Sequence, residues 1–87
     1  MARRPMPEKL PKKLALIRIR LGLSQVELVE ALNYAKSPLY ASQISNFEQG
    51  KREPPLMVLL AYARLAGVSV ECLIDDKMKL PNLGEDQ

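Results

Sequence analysis

Two helix signals stand one residue apart in this chain, and they restrict its fold more than any other feature. Gly22 follows a helical pattern and ends it, because a residue without Cβ takes the left-handed conformation at little steric cost. Ser24-Gln25-Val26-Glu27 then reads as a capping box, with Ser24 as N-cap and Glu27 reaching back to it. A stop and a start separated only by Leu23 predict two helices joined by a tight turn. Leu10, Leu14, Ile17 and Leu21 form one apolar stripe on the first helix. Leu28, Val29 and Leu32 supply the buried side of the second, and Asn33 is its stop.

Three further helices follow. The third ends at Gly50, with Ile44 and Phe47 one turn apart on its inner face. Ser37-Pro38 favours a start there, with Ser37 as N-cap and Pro38 at the first helical position, which gives a helix over residues 38–49. In that register Tyr40 packs inward and Leu39 faces outward. The competing start lies near Tyr40 and leaves residues 37–39 in a loop. A fourth helix over residues 56–66 buries Leu59, Leu60 and Ala63 and is closed by Gly67. Ser69 caps a short fifth helix that carries Glu71 near its positive end and the apolar Leu73 and Ile74. No alternating strand pattern is present, so the expectation is an all-α domain of five helices over residues 9–76. Pro5 and Pro7 make residues 1–8 a flexible basic arm, and residues 77–87 read as a tail without a clear period.

Composition narrows the function. The chain has no histidine, no glycine-rich phosphate loop and no metal-ligand spacing, so neither an enzyme nor a cofactor is expected. Cys72 is the only cysteine, which excludes an internal disulfide, favours a cytosolic setting and reads as a buried structural thiol. Asp75-Asp76 reads more simply as solvated carboxylates than as a cation site. The longest apolar run, residues 56–63, is too short to cross a bilayer, and no apolar stretch follows Arg3 and Arg4 as a signal peptide requires. Charge is unevenly placed. Residues 1–20 hold seven lysines and arginines against Glu8 alone, while residues 71–87 hold five acids against Lys77 and Lys79. One basic end is compatible with a polyanionic partner, and equally with an ordinary solvated surface.

The outer face of the third helix separates those readings. With Ile44 at 0°, Ser45, Gln49, Ser42 and Asn46 fall at about 100°, 140°, 160° and 200°. That face has hydrogen-bonding groups and no charge, whereas a merely solvated face normally carries lysine and glutamate. Short neutral polar side chains reach base edges without a large desolvation penalty.

Three segments carry a family resemblance. RIRLGLSQVEL at residues 18–28 resembles the first helix and second-helix start of the lambda repressor/Cro family, also called the XRE family. ISNFEQGKREP at residues 44–54 resembles the end of its recognition helix and the loop beyond. LAGVSV at residues 65–70 resembles its junction of fourth and fifth helices. The stretch between Leu32 and Ile44 is about five residues longer than the family pattern, and Pro55 stands where a serine or threonine cap is common.

The resemblance implies a bacterial or phage transcriptional regulator that binds double-stranded DNA, usually as a homodimer on an inverted repeat. Base reading then falls to Leu39, Ser42, Gln43, Ser45 and Asn46. Phosphate binding falls to Ser24, Gln25, Lys36, Gln49, Lys51 and Arg52. Arg3 and Arg4 of the arm are candidates for the minor groove or for phosphates. Arg18 and Glu48 are expected to form a structural ion pair, since the family pairs these positions. Val70, Leu73, Ile74 and Met78 are candidates for a two-fold contact. A second class of function shares these motifs: an antitoxin that binds a toxin, or a protein-interaction adaptor of the same fold.

Overall fold

The computed structural model describes residues 6–34 and 38–81. Five helices and no strand are present among them: α1 (Leu10–Arg20), α2 (Gln25–Leu32), α3 (Ala41–Glu48), α4 (Leu56–Ala66) and α5 (Val70–Ile74). Arg3, Arg4 and Lys36 lie outside the described residues.

The helices close a ring around one core: α1 touches α3 and α5, α2 touches α3 and α4, and α4 touches α5. Leu10, Leu14 and Ile17 of α1 meet Leu28 and Leu32 of α2, Ile44 and Phe47 of α3, and Leu73 of α5. From α4 the buried side chains are Val58, Leu59, Tyr62 and Ala63, whereas the expected Leu60 is only half-buried.

Leu21 does not continue the α1 stripe; it is 37% exposed. Gly22 turns left-handed at φ +73°, and the Leu23 amide returns to the Arg18 carbonyl at 3.1 Å. This helix-ending motif carries an apolar contact at the residue after the glycine, so Leu23 packs on the core in place of Leu21. At α2 the capping box is complete: the Glu27 amide donates to Ser24 Oγ at 3.0 Å and the Ser24 amide donates to Glu27 Oε1 at 2.8 Å.

Helix α3 starts at Ala41 and not at Pro38, which overturns the longer helix read from Ser37-Pro38. Tyr40 is its N-cap with extended backbone at φ −124°, ψ 155°, and its amide donates to Gln43 Oε1 at 2.8 Å. The orientations of Leu39 and Tyr40 are therefore reversed. In an extended segment neighbouring side chains point to opposite sides; Leu39 packs against the core and Tyr40 is 61% exposed. Burying leucine leaves no polar atom to satisfy, while a buried tyrosine hydroxyl needs a partner. Residues 38–40 thus precede the helix rather than extend it.

The two ends of the domain are tied together. Asp76 accepts the amides of Glu8 at 2.9 Å and Lys9 at 3.0 Å, so it caps α1, which has no acidic residue in its own first turn. These bonds hold the Asp76 carboxyl below the usual carboxylate range. Lys13 is buried, and its ammonium donates to the Cys72 carbonyl at 2.7 Å and the Asp75 carbonyl at 3.0 Å. Residues 77–81, which show no period in the sequence, lie against α1: Leu80 packs on the core and Arg20 donates to the Pro81 carbonyl at 3.0 Å.

Candidate nucleic-acid interface

Local chemistry builds this surface from the end of α1, the start of α2 and the whole of α3. At α2 the cap satisfies one amide, that of Glu27. The amides of Gln25 and Val26 belong to the same first turn, where no intrahelical acceptor exists, and the helix dipole adds positive potential. Such an end takes a phosphate.

Arg18 and Glu48 fix this end of α2 relative to α3. Arg18 Nε donates to Glu48 Oε2 at 2.6 Å and its Nη2 to Oε1 at 3.0 Å, a two-pronged pair. Its remaining Nη1 donates to the Leu23 carbonyl at 3.0 Å. Gln25 Nε2 reaches the same Glu48 Oε1 at 3.4 Å. The pair therefore joins α1, the turn before α2, the first residue of α2 and the last residue of α3. Side-chain exposure is 19% for Arg18 and 9% for Glu48, so water screens the pair weakly. The hydrogen bond to Glu48 raises the Arg18 pKa further above its ordinary range.

Beneath this pair lies Tyr62, fully buried, whose hydroxyl has no hydrogen-bond partner. Burial, and then the negative charge of Glu48, push its pKa up. The sequence offered only a weak sign of it: Tyr62 lies one residue before Ala63 on a helix that is apolar nearly all round.

On α3, Ser42 and Gln49 are exposed, while Gln43, Ser45 and Asn46 are half-buried. Gln49 Nε2 donates to Ser45 Oγ at 2.7 Å, which leaves the serine proton free to donate outward. Gln43 uses its carbonyl oxygen on Tyr40 and keeps its amide donors. Lys51 and Arg52 are exposed immediately after Gly50, whose φ is +76°. A Cβ there would stand 3.3 Å from Cγ of Pro11, so the backbone that presents the two cations lies close to α1.

Ser24, Gln25, Ser42, Gln43, Ser45, Asn46, Gln49, Lys51 and Arg52 are thus carried by the paired α2 and α3 and the loop after them. Leu39 is not on the exposed side. Tyr40, the extended N-cap of α3, is the exposed side chain there instead; the signal was Gln43, a side chain able to accept the Tyr40 amide three residues earlier. At the other end of the domain, Leu73 is fully buried, so it closes the monomer core and is withdrawn from any two-fold contact.

Two helices meeting through a turn, the second with an uncharged polar face flanked by cations, define a DNA-binding protein of the helix-turn-helix class. The chain belongs to the helix-turn-helix domain family whose model matches residues 12–75, a family of the larger lambda-repressor-like clan. The family is typically without enzymatic activity. No curated protein matches the chain. Among the described residues no helix is long and apolar enough to cross a membrane.

Proposed function

We propose that this chain is a transcriptional regulator that reads a specific duplex sequence with α3 in the major groove. The observation that carries the reading is the joint between the two helices. Arg18 and Gln25 both bond Glu48, so the phosphate-binding start of α2 and the reading face of α3 are held in one geometry before DNA arrives. Preorganisation of this kind lowers the ordering cost of binding.

Asn46 pairs with adenine N6 and N7, and Ser42, Gln43 and Ser45 donate to neighbouring base edges. Tyr40, exposed at the start of α3, contacts the sugar-phosphate backbone or a thymine methyl. Ser24, Gln25, Gln49, Lys51 and Arg52 hold phosphates and set the register without reading sequence. Arg3, Arg4 and Lys36 add positive charge to the same partner.

A two-fold homodimer on an inverted repeat belongs to the same reading, with recognition helices about 34 Å apart. Ile74, 44% exposed, is the most open of the C-terminal apolar set, and Leu56 and Met57 at the start of α4 are 74% and 51% exposed. Selection of bound sequences from random duplex DNA tests the whole proposal: a symmetric consensus is expected. Recovery of no consensus, with affinity equal on all duplexes, would overturn sequence reading.

A further inference from the structure

A second surface of the domain is rich in lysine and arginine, and none of its lining residues is among those assigned to DNA. An open groove of about 350 Å³ runs between α1 and the segment after α5. Its floor is apolar, made by Leu16, Met78 and Leu80, all half-buried. Its rim is cationic: Lys9, Lys12 and Lys79 are exposed, and Arg20 stands at the far end. Lys13 lies at its back, with its charge held by two carbonyl oxygens and not by a carboxylate. Asp76, whose charge acts on Lys13 and Lys9, already has both oxygens on backbone amides.

The groove faces away from the DNA-reading side. With Leu14 at 0° on α1, Arg18 and Pro11, which turn toward α3, fall at about 40° and 60°. Leu16, Lys9 and Arg20 fall at about 200°, 220° and 240°, on the opposite flank of the helix.

We propose that this groove docks an acidic peptide segment of a partner protein, one that carries large apolar side chains between carboxylates. Charge complementarity requires an acidic occupant. The cations are spread along the groove: Lys9 and Arg20 are eleven residues apart, roughly 16 Å along the helix axis. A single head group or small anion spans a fraction of that length. An extended peptide of about five residues spans it and alternates its side chains between floor and rim. A duplex backbone has the charge but nothing to place on Leu16, Met78 and Leu80. The rim cations steer the acidic segment in, and the floor selects it from other acidic segments. The inference stands apart from the DNA reading, because it uses none of the residues assigned to DNA.

The test uses the full chain and two fluorescein-labelled peptides, one of alternating glutamate and leucine and one of alternating glutamate and serine. Fluorescence anisotropy gives their affinities, with affinity for a duplex measured alongside. The leucine peptide is expected to bind about tenfold more tightly than the serine peptide. The Lys12→Glu, Lys79→Glu double variant should weaken it about tenfold, leave thermal stability unchanged since both side chains are exposed, and leave the salt slope of duplex binding unchanged since no phosphate contact is lost. Lys51→Ala should leave peptide affinity unchanged. Equal affinity for the two peptides would overturn the proposal, and so would indifference to the charge reversal. A smaller salt slope of duplex binding in the double variant would assign the groove to nucleic acid instead. Because duplex binding is measured on the same protein, failure of the groove and failure of the DNA reading are told apart.

Discussion

Replacing Glu48 by alanine should unsettle both the fold and the reading surface, and the structure sets the size of the effect. An exposed ion pair contributes about 0–1 kcal/mol, while removing one partner of a fully buried pair costs about 3–5 kcal/mol. Arg18 and Glu48 expose 19% and 9% of their side chains, which places them between these limits and nearer the second. Glu48→Ala leaves the Arg18 guanidinium with only the Leu23 carbonyl and takes the Gln25 amide's acceptor away. We expect a loss of about 2–3 kcal/mol, a fall in Tm of roughly 10–20 °C for a domain this small. Arg18→Ala should lose a similar amount, because Glu48 then keeps only the 3.4 Å contact from Gln25. The double variant removes both charges and should be well short of the sum, with a coupling of about 1.5–2 kcal/mol. Urea unfolding followed by circular dichroism gives all four corners of the cycle. Additive single losses, with coupling below about 0.5 kcal/mol, would refute the claim that the pair acts as a unit.

Other perturbations separate the remaining parts of the argument. Tyr62→Phe removes a buried hydroxyl without a partner, so thermal unfolding should show a neutral to about 1 kcal/mol stabilising effect; a clear loss would mean that the hydroxyl is satisfied. Asp76 has its pKa held below its ordinary 3.8, so the stability it lends is complete above that value and is lost as pH falls through the lower folded value. Urea midpoints measured downward from pH 4 should therefore fall less steeply for Asp76→Asn than for the parent, and parallel curves would contradict the capping role. Asn46→Ala should lose about 1–3 kcal/mol of discrimination at one base pair per half-site. Lys51→Ala should weaken all duplexes alike and reduce the salt slope by about 0.9. Equal, sequence-independent losses for the two variants would remove Asn46 from base reading.

What was legible in the sequence depends on how far apart the interacting residues lie. Gly22, Ser24 with Glu27, Gly67 and Ser69 act within a few positions of themselves, so the ends of α1 and α4 and the starts of α2 and α5 could be read directly. The apolar stripe was legible except at Leu21, where a helix period was carried one residue past the point at which the chain turns. The start of α3 was misread because serine followed by proline is a strong local signal, and burial of Leu39 outweighed it. Lys13 occupies the fourth place of the pattern formed by Leu10, Leu14 and Ile17, and a lysine in that place is readily taken for solvent-facing. Only the carbonyls of Cys72 and Asp75 explain it, and no local rule connects residues 59 and 62 positions apart. Asp76 escaped for the same reason. α3's neutral face was visible from periodicity, whereas the exposure of Tyr40 depended on a backbone conformation signalled only by Gln43, which accepts its amide.

The dependence of α1 on the last part of the domain bears on the order in which the chain can fold as it is made. Residues 8–20 leave the ribosome before the other helices, but the acceptor for the Glu8 and Lys9 amides is 68 and 67 positions further on. Until α5 emerges, Lys13 has neither of its two carbonyl acceptors and would carry a bare charge toward an apolar surface. A nascent chain stopped short of residue 72 should therefore hold its first helix only loosely, whatever its local propensity. Closure of the ring becomes a single late event, and contacts of such long sequence separation set its rate.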